Sequence, residues 1–278
     1  MTEQHKTVRL LTVKTPWDSG LLGVLLEDFT DRSGYDVRVQ TGDETLYDLA
    51  RAGEADVVIS HYGHKGVRSF MDEGFGDWPT TVFANQHALV GPPSDPANVR
   101  GGRDLAEAFR RIAATGAPYV VNNDQGLLYV EEIVWSRRDR PHKGNWYRDD
   151  GLKGVAAMVA AAERGAYSLW GITPFLQHDG QDFAGLEPLV LEDPLLQRLM
   201  VSIVVKSAKV PGVDADGALA LQRHLVAPDI QARIIDFRVP GIDAQLWWPA
   251  GRHNAPTDVG GLHKGRAAHA TPAASPVR

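Results

Sequence analysis

The stretch LLTVKTPWDSGLLGVLLEDFTDRSGYDVRV, residues 10–39, sets the fold class. It opens on an apolar run, Val8–Val13, short enough for a strand. Leu21, Leu22, Leu25, Leu26 and Phe29 then recur at helical spacing, and Tyr35–Val39 alternates as a strand does. Ser19 or Asp18 is placed to cap the helix. Working outward, the rhythm repeats: Glu44–Ala52 reads as a helix stopped by Gly53, and DVVIS, Asp56–Ser60, as a buried strand. Lys65–Asp72 reads as a short helix, and Thr80–Val90 as a longer strand leaving the first lobe through the turn cluster GPPSDP. Strand and helix in alternation imply an α/β fold with a mainly parallel sheet.

A second set follows. Asp104–Thr115, Leu127–Arg137 and Gly151–Arg164 read as helices, Pro118–Val121, Ala166–Leu169 and Leu199–Val205 as strands, and Asp216–Ala227 and Ile230–Phe237 as closing helices. The expectation is two lobes: 1–91 with 200–250, and 92–199, followed by a Gly/Ala/His/Pro-rich tail, 251–278, expected to be disordered.

Bulk properties narrow the function. The chain has 278 residues and 43% apolar content, enough for a substantial core without staples. With no cysteine, disulfides, thiolate chemistry and Cys-ligated zinc are excluded. A net charge of −6 argues against nucleic acid as partner. No stretch is apolar enough over about 20 residues to insert in a membrane. The N-terminus lacks the apolar run of a signal peptide, so the chain as given reads as cytoplasmic, and as extracytoplasmic if a leader was removed. No nucleotide-binding glycine pattern or hydrolase motif occurs, and nothing points to a cofactor.

Four segments resemble, in order and spacing, the tungstate-binding receptor family: residues 10–39, ARAGEADVVISHYGHKGVRSFMDEGFG (50–76), NNDQGLLYVEEIVW (122–135) and NWYRDDGLKGVAAMVAAAERGAYSLW (145–170). The resemblance implies a periplasmic-binding-protein-like (type II) fold of mixed, mostly parallel sheets that closes by a hinge on one small ligand. It places Thr12, Lys14, Thr15, Trp17 and His61 at the ligand on one lobe. The loop Asn122, Asn123, Asp124, Gln125 and Gly126, with Trp170, faces it from the other. It also marks departures. The family's loop arginine falls on Val121, and its later charged pair on Gly171 and Ile172, so the cationic clamp for an oxyanion reads as largely missing and Lys14 as a partial replacement. The ligand expected is an anion or small organic acid, and a transporter is a partner only if the chain is exported.

Each residue has a plainer reading. The first turn is an ordinary capped turn with a solvated lysine, Asp124 a helix cap, and His64 and His87 capping or packing side chains. Two histidines without an assured carboxylate are no metal site. Trp135, Trp146 and Tyr147 read as core, Trp247 and Trp248 as a tail anchor or partner contact, and the basic run Arg137–Lys143 as solvated surface. The alternative to a receptor is a cytosolic dehydratase or lyase on the same fold, with Lys14 holding a carboxylate and His61 or Asp124 moving a proton.

Overall fold

The computed structural model describes residues 6–178, 183 and 185–250, so the tail expected at 251–278 lies outside the described residues. In chain order the elements are β1 (Thr7–Val13), α1 (Lys14–Asp18), α2 (Leu21–Ser33), β2 (Asp36–Gly42), α3 (Leu46–Arg51), β3 (Val57–His61), α4 (Lys65–Asp72) and β4 (Thr80–Gly91). There follow α5 (Leu105–Thr115), β5 (Tyr119–Val120), α6 (Gln125–Trp135), β6 (Tyr147–Arg148), α7 (Val155–Glu163), β7 (Ser168–Gly171) and α8 (Ile172–Gln177). The chain then returns through β8 (Glu187–Val190), β9 (Gln197–Val204), α9 (Ala215–Leu225), α10 (Pro228–Asp236) and β10 (Trp248–Pro249).

The sheet is mixed. Its main path runs β10-β4-β9-β3-β1-β2. The strands β2, β1 and β3 pair in parallel, as their βα crossovers require, while β9 returns antiparallel between β3 and β4. The long strand β4 belongs to both halves of the molecule. Its first part, Thr80–Gln86, pairs with β9, and its last part, His87–Gly91, with β7 and β8. Register shifts interrupt it between Thr81 and Phe83 against β9, and between Leu89 and Val90 against β8.

The buried apolar side chains form one continuous core through both halves. In the first, Leu21, Leu22, Leu25 and Phe29 of α2 bury the face that their spacing predicts, alongside Leu10, Val58 and Ile59 of the sheet. In the second, Phe109, Tyr119, Trp135, Trp146 and Tyr147 form one aromatic cluster with ring centroids 4.8–6.5 Å apart. Trp247 is fully buried, donates its indole N–H to Ser19 and meets Phe83 edge-on, so it anchors the returning chain.

Local differences from the sequence reading have physical causes. The turn expected after β1 is the short helix α1. Pro16 fits its first turn, where no backbone N–H is needed. Neither Ser19 nor Asp18 caps α2; the N-cap is Gly20 at φ 83°, a left-handed position that lets the chain bend between α1 and α2. Asp56 is buried and clamps three segments. Its carboxylate accepts from the backbone N–H (2.7 Å) and Nη2 (2.6 Å) of Arg9 and from the Asp214 N–H (2.9 Å) at the start of α9.

Candidate functional site

The ends of β1, β3 and β7 and the N-termini of α1, α6 and α8 converge on one cleft between the halves, enclosing about 360 Å³. This is the size of a small-molecule site. Topology selects the place: strand C-terminal ends meet the starts of the following helices there, so unpaired helix N–H groups collect at the cleft.

Strand register supplies the floor. Asn85 lies opposite Arg198, and His61 and Phe83 both lie opposite Met200. Side chains alternate along a strand, so Asn85 and His87 of β4, Arg198 of β9 and His61 of β3 share one face. All four line the cleft.

Arg198 is half-buried, and its Nη1 donates to His87 Nε2 at 2.8 Å. A guanidinium has only donors, so His87 Nε2 must be the acceptor and its ring proton sits on Nδ1. Among the described residues Arg198 has no carboxylate within ion-pair reach, and its Nε and Nη2 make no hydrogen bond to the protein. Burial pushes its pKa down to about 9, with Asp124 pulling the other way, so it stays a cation at neutral pH.

The guanidinium packs against the start of α6. A Cβ at Gly126 would lie 2.5 Å from Arg198 Cζ and closer to both terminal nitrogens, so only glycine admits the arginine there. Leu127 and Leu128 donate to the Asp124 carbonyl, while the Gln125 and Gly126 N–H groups find no acceptor in the protein among the described residues. One full positive charge and a helix's open positive end therefore face the same space.

Neutral donors and acceptors surround them. Burial, then Arg198, His87 and His64, hold His61 well below the usual histidine range; burial and then Arg198 do the same to His87. The buried atoms His61 Nδ1, His87 Nδ1 and Asn85 Oδ1 have no hydrogen-bond partner among the described residues. Buried polar atoms are rarely left so, and three of them gather on residues that line this one cleft. Asp124 sits at the N-cap of α6 but makes no side-chain cap bond. Burial raises its pKa, while Lys153 and Arg198 oppose the rise. At the rim, Lys153 reaches Glu44 at 3.8 Å.

Of the residues named from sequence, Lys14, Thr15, His61, Asp124, Gln125, Gly126 and Trp170 line the cleft. Thr12 does not: it is fully buried, with its hydroxyl donating to the Val13 carbonyl. Trp17, carried by α1, is 42% exposed and off the lining. Asn122 is buried, its carbonyl oxygen accepting the Gly154 N–H at 2.9 Å, and Asn123 donates to Asp149. These two asparagines hold the loop rather than line the cleft. His64 caps α4 by accepting the Gly66 N–H, and it lines the cleft as well. His87, read as a packing residue, is on the floor.

The missing cationic clamp needs the largest correction. Val121, where the resemblance puts the family's arginine, is buried, but Arg198 brings a guanidinium to the following loop from β9. The only trace of it in sequence is a charge at the leading end of an apolar strand, QRLMVSIVV. Cross-strand register is needed to see what it faces.

No family model matches the chain. An ABC transporter anion-binding protein of Haloferax volcanii is 32% identical over 249 residues, covering 86% of this chain and 71% of that protein. A tungstate-binding protein of Peptoclostridium acidaminophilum is 25% identical over 252 residues, covering 89% and 87%. Among solved structures, the tungstate-binding protein of Desulfovibrio alaskensis superposes with a TM-score of 0.79 at 26% identity, over 88% of this chain and 99% of that one. The tungstate ABC transporter protein of Geobacter sulfurreducens gives 0.70 at 28% identity, over 83% and 98%.

Proposed function

The chain belongs to the family of these anion-binding ABC-transporter receptors, and from that premise we propose that it captures one small anion at Arg198 and the open end of α6 and presents it to a transporter. The observation that carries this reading is the unpaired guanidinium at the cleft floor. A charge taken out of water without a partner is costly, and an anion removes that cost by supplying charge-assisted hydrogen bonds. The Gln125 and Gly126 amides would complete the donor set.

Closure of the two halves supports capture. Across the rim the halves meet through weak contacts, the exposed Lys153–Glu44 pair and the 3.3 Å bond from the Gln177 amide to the Asp18 carbonyl. Exposed pairs of this kind contribute at most about 1 kcal/mol, so the rim contacts themselves resist opening little, and a ligand bridging the cleft would favour the closed arrangement. Lys14, His61 and Asp124, on which a lyase reading depends, make no hydrogen bond or ion pair with one another among the described residues.

The test is calorimetric titration with tungstate, molybdate, sulfate, phosphate and small carboxylates, repeated on Arg198→Gln. The expected result is saturable binding of at least one anion, weakened tenfold or more by the substitution, with a fall in radius of gyration on saturation. Binding unchanged in Arg198→Gln, or no anion bound at all, would overturn the reading.

A further inference from the structure

A second hollow of about 160 Å³ adjoins the cleft and shares four of its lining residues, His61, Gly63, Gly126 and Arg198. Arg198 thus stands between two spaces of opposite character. The cleft side is polar, with six ionisable rim and floor groups besides the histidines: Lys14, Asp43, Glu44, Asp124, Lys153 and Arg198. The far side is walled by Tyr62, Tyr129, Ile133, Leu195 and Leu199. Among the described residues it has no carboxylate and no lysine, and Gln197 is its one added polar side chain besides the two tyrosine hydroxyls.

From this juxtaposition we infer that the ligand is an organic anion, a carboxylate or phosphonate head on an aromatic or comparably bulky apolar body, with the head at Arg198 and the body in the annex. The inference rests on the anion-receptor reading of the same site and names its ligand class. An apolar hollow of about 150 Å³ is large enough for a benzene ring. A bare inorganic oxyanion would leave that surface wetted beside its own charge. The annex wall also spans both halves: Tyr129, on α6, stands over Gly63 of the β3–α4 loop, where a Cβ would meet its ring at 3.6 Å. Tyr62 and Tyr129 are 57% and 52% exposed. A planar ring between them would bury those faces. The fork of Arg198, with Nε and Nη2 free, suits the two oxygens of a carboxylate or phosphonate.

The test uses matched probe pairs on the full chain: acetate against phenylacetate, and methylphosphonate against phenylphosphonate, with tungstate and sulfate alongside. The phenyl member of at least one pair is expected to bind about tenfold or more tighter, because even half a ring surface removed from water is worth that factor. Ile133→Trp, which fills the annex, and Tyr129→Ala, which opens it, are each expected to bring the phenyl-to-methyl ratio back toward one. Melting curves confirm that each variant is folded, and either variant suffices for the comparison. Binding of a methyl probe or an inorganic oxyanion as tight as the phenyl probe would overturn the inference and leave the anion receptor standing. A phenyl advantage that survives in both variants would place the ring elsewhere and overturn it too. Failure of every anion, small or large, would overturn the receptor reading together with it.

Discussion

Arg198→Met is expected to make the empty protein more stable and blind to anions. Burial takes the guanidinium from the ordinary arginine range down to about 9. At about 1.4 kcal/mol per tenfold, a wholly dry side chain would cost the fold roughly 5 kcal/mol. Arg198 is half-buried and faces the cleft, so solvent screens this to about 3 kcal/mol. Methionine removes the charge and keeps most of the volume. It also strips His87 Nε2 of its donor, at a cost of roughly 1 kcal/mol. The net gain of about 2 kcal/mol raises the melting midpoint by about 4–8 °C in a chain of this size. Scanning calorimetry in anion-free buffer reads this directly. A second scan adds an anion the wild type binds, at about 100 times its Kd, where the wild type gains about 2.7 kcal/mol and the variant nothing. A variant that melts below the wild type would show the guanidinium to be a structural tie through His87. An anion that still raises the variant's midpoint would show that the charge is not its partner.

Gly126→Ala pushes a methyl group into Arg198 without touching its charge. The displaced atoms are the far end of a flexible side chain, so the midpoint should move by less than about 3 °C while anion affinity drops tenfold or more; titration beside a melt separates the two, and unchanged affinity contradicts the packing argument. Asp56→Ala leaves Arg9 and the Asp214 N–H without their shared acceptor, and should cost about 3–4 kcal/mol by denaturant unfolding; a loss under about 1 kcal/mol would mean the clamp joining β1, β3 and α9 is dispensable. Acid should destabilise the fold early. His61, His64, His87 and His224 are all held below 6.5, chiefly by burial, so the unfolded chain takes up protons that the folded chain refuses. Their stabilisation is present above pH 6.5 and is lost as pH falls toward their folded-state values. A midpoint that falls from pH 7 to 5, and falls less steeply in His87→Gln, is expected; a flat profile over that window would contradict it.

What the sequence shows and hides follows from the range of the interactions. Lys65–Asp72 is legible to the residue because just over two strongly amphipathic turns sit between two glycine stops. The α2 face is legible from spacing alone. The two-residue strands β6 and β10 are too short for any period, and α1 is masked by Pro16, which reads as turn but suits a first helical turn. His61 at the end of β3 and Asp124 at the start of α6 fall where alternating strands and helices put a cleft, and the family resemblance singles them out there. Asn85, His87 and Arg198 do not. They lie inside strands, and only the pairing of β4 with β9, more than 110 positions apart, turns them toward one another. Thr12 fails for a related reason: a hydroxyl one residue from a strand end faces the core or the cleft depending on a register that sequence leaves open.

The two register shifts in β4 fall outside Asn85–His87, one on each side. Irregularities of this kind concentrate bending and twist in a strand. Asn85 and His87 therefore sit on a regularly paired stretch between two bends of the same strand. Under the receptor reading proposed above, substitutions at 81–83 or 89–90 are expected to change how the two halves lean on one another while the spacing of Asn85, His87 and Arg198 stays as it is. Capture kinetics and ligand selectivity would then be separable by substitution along one strand.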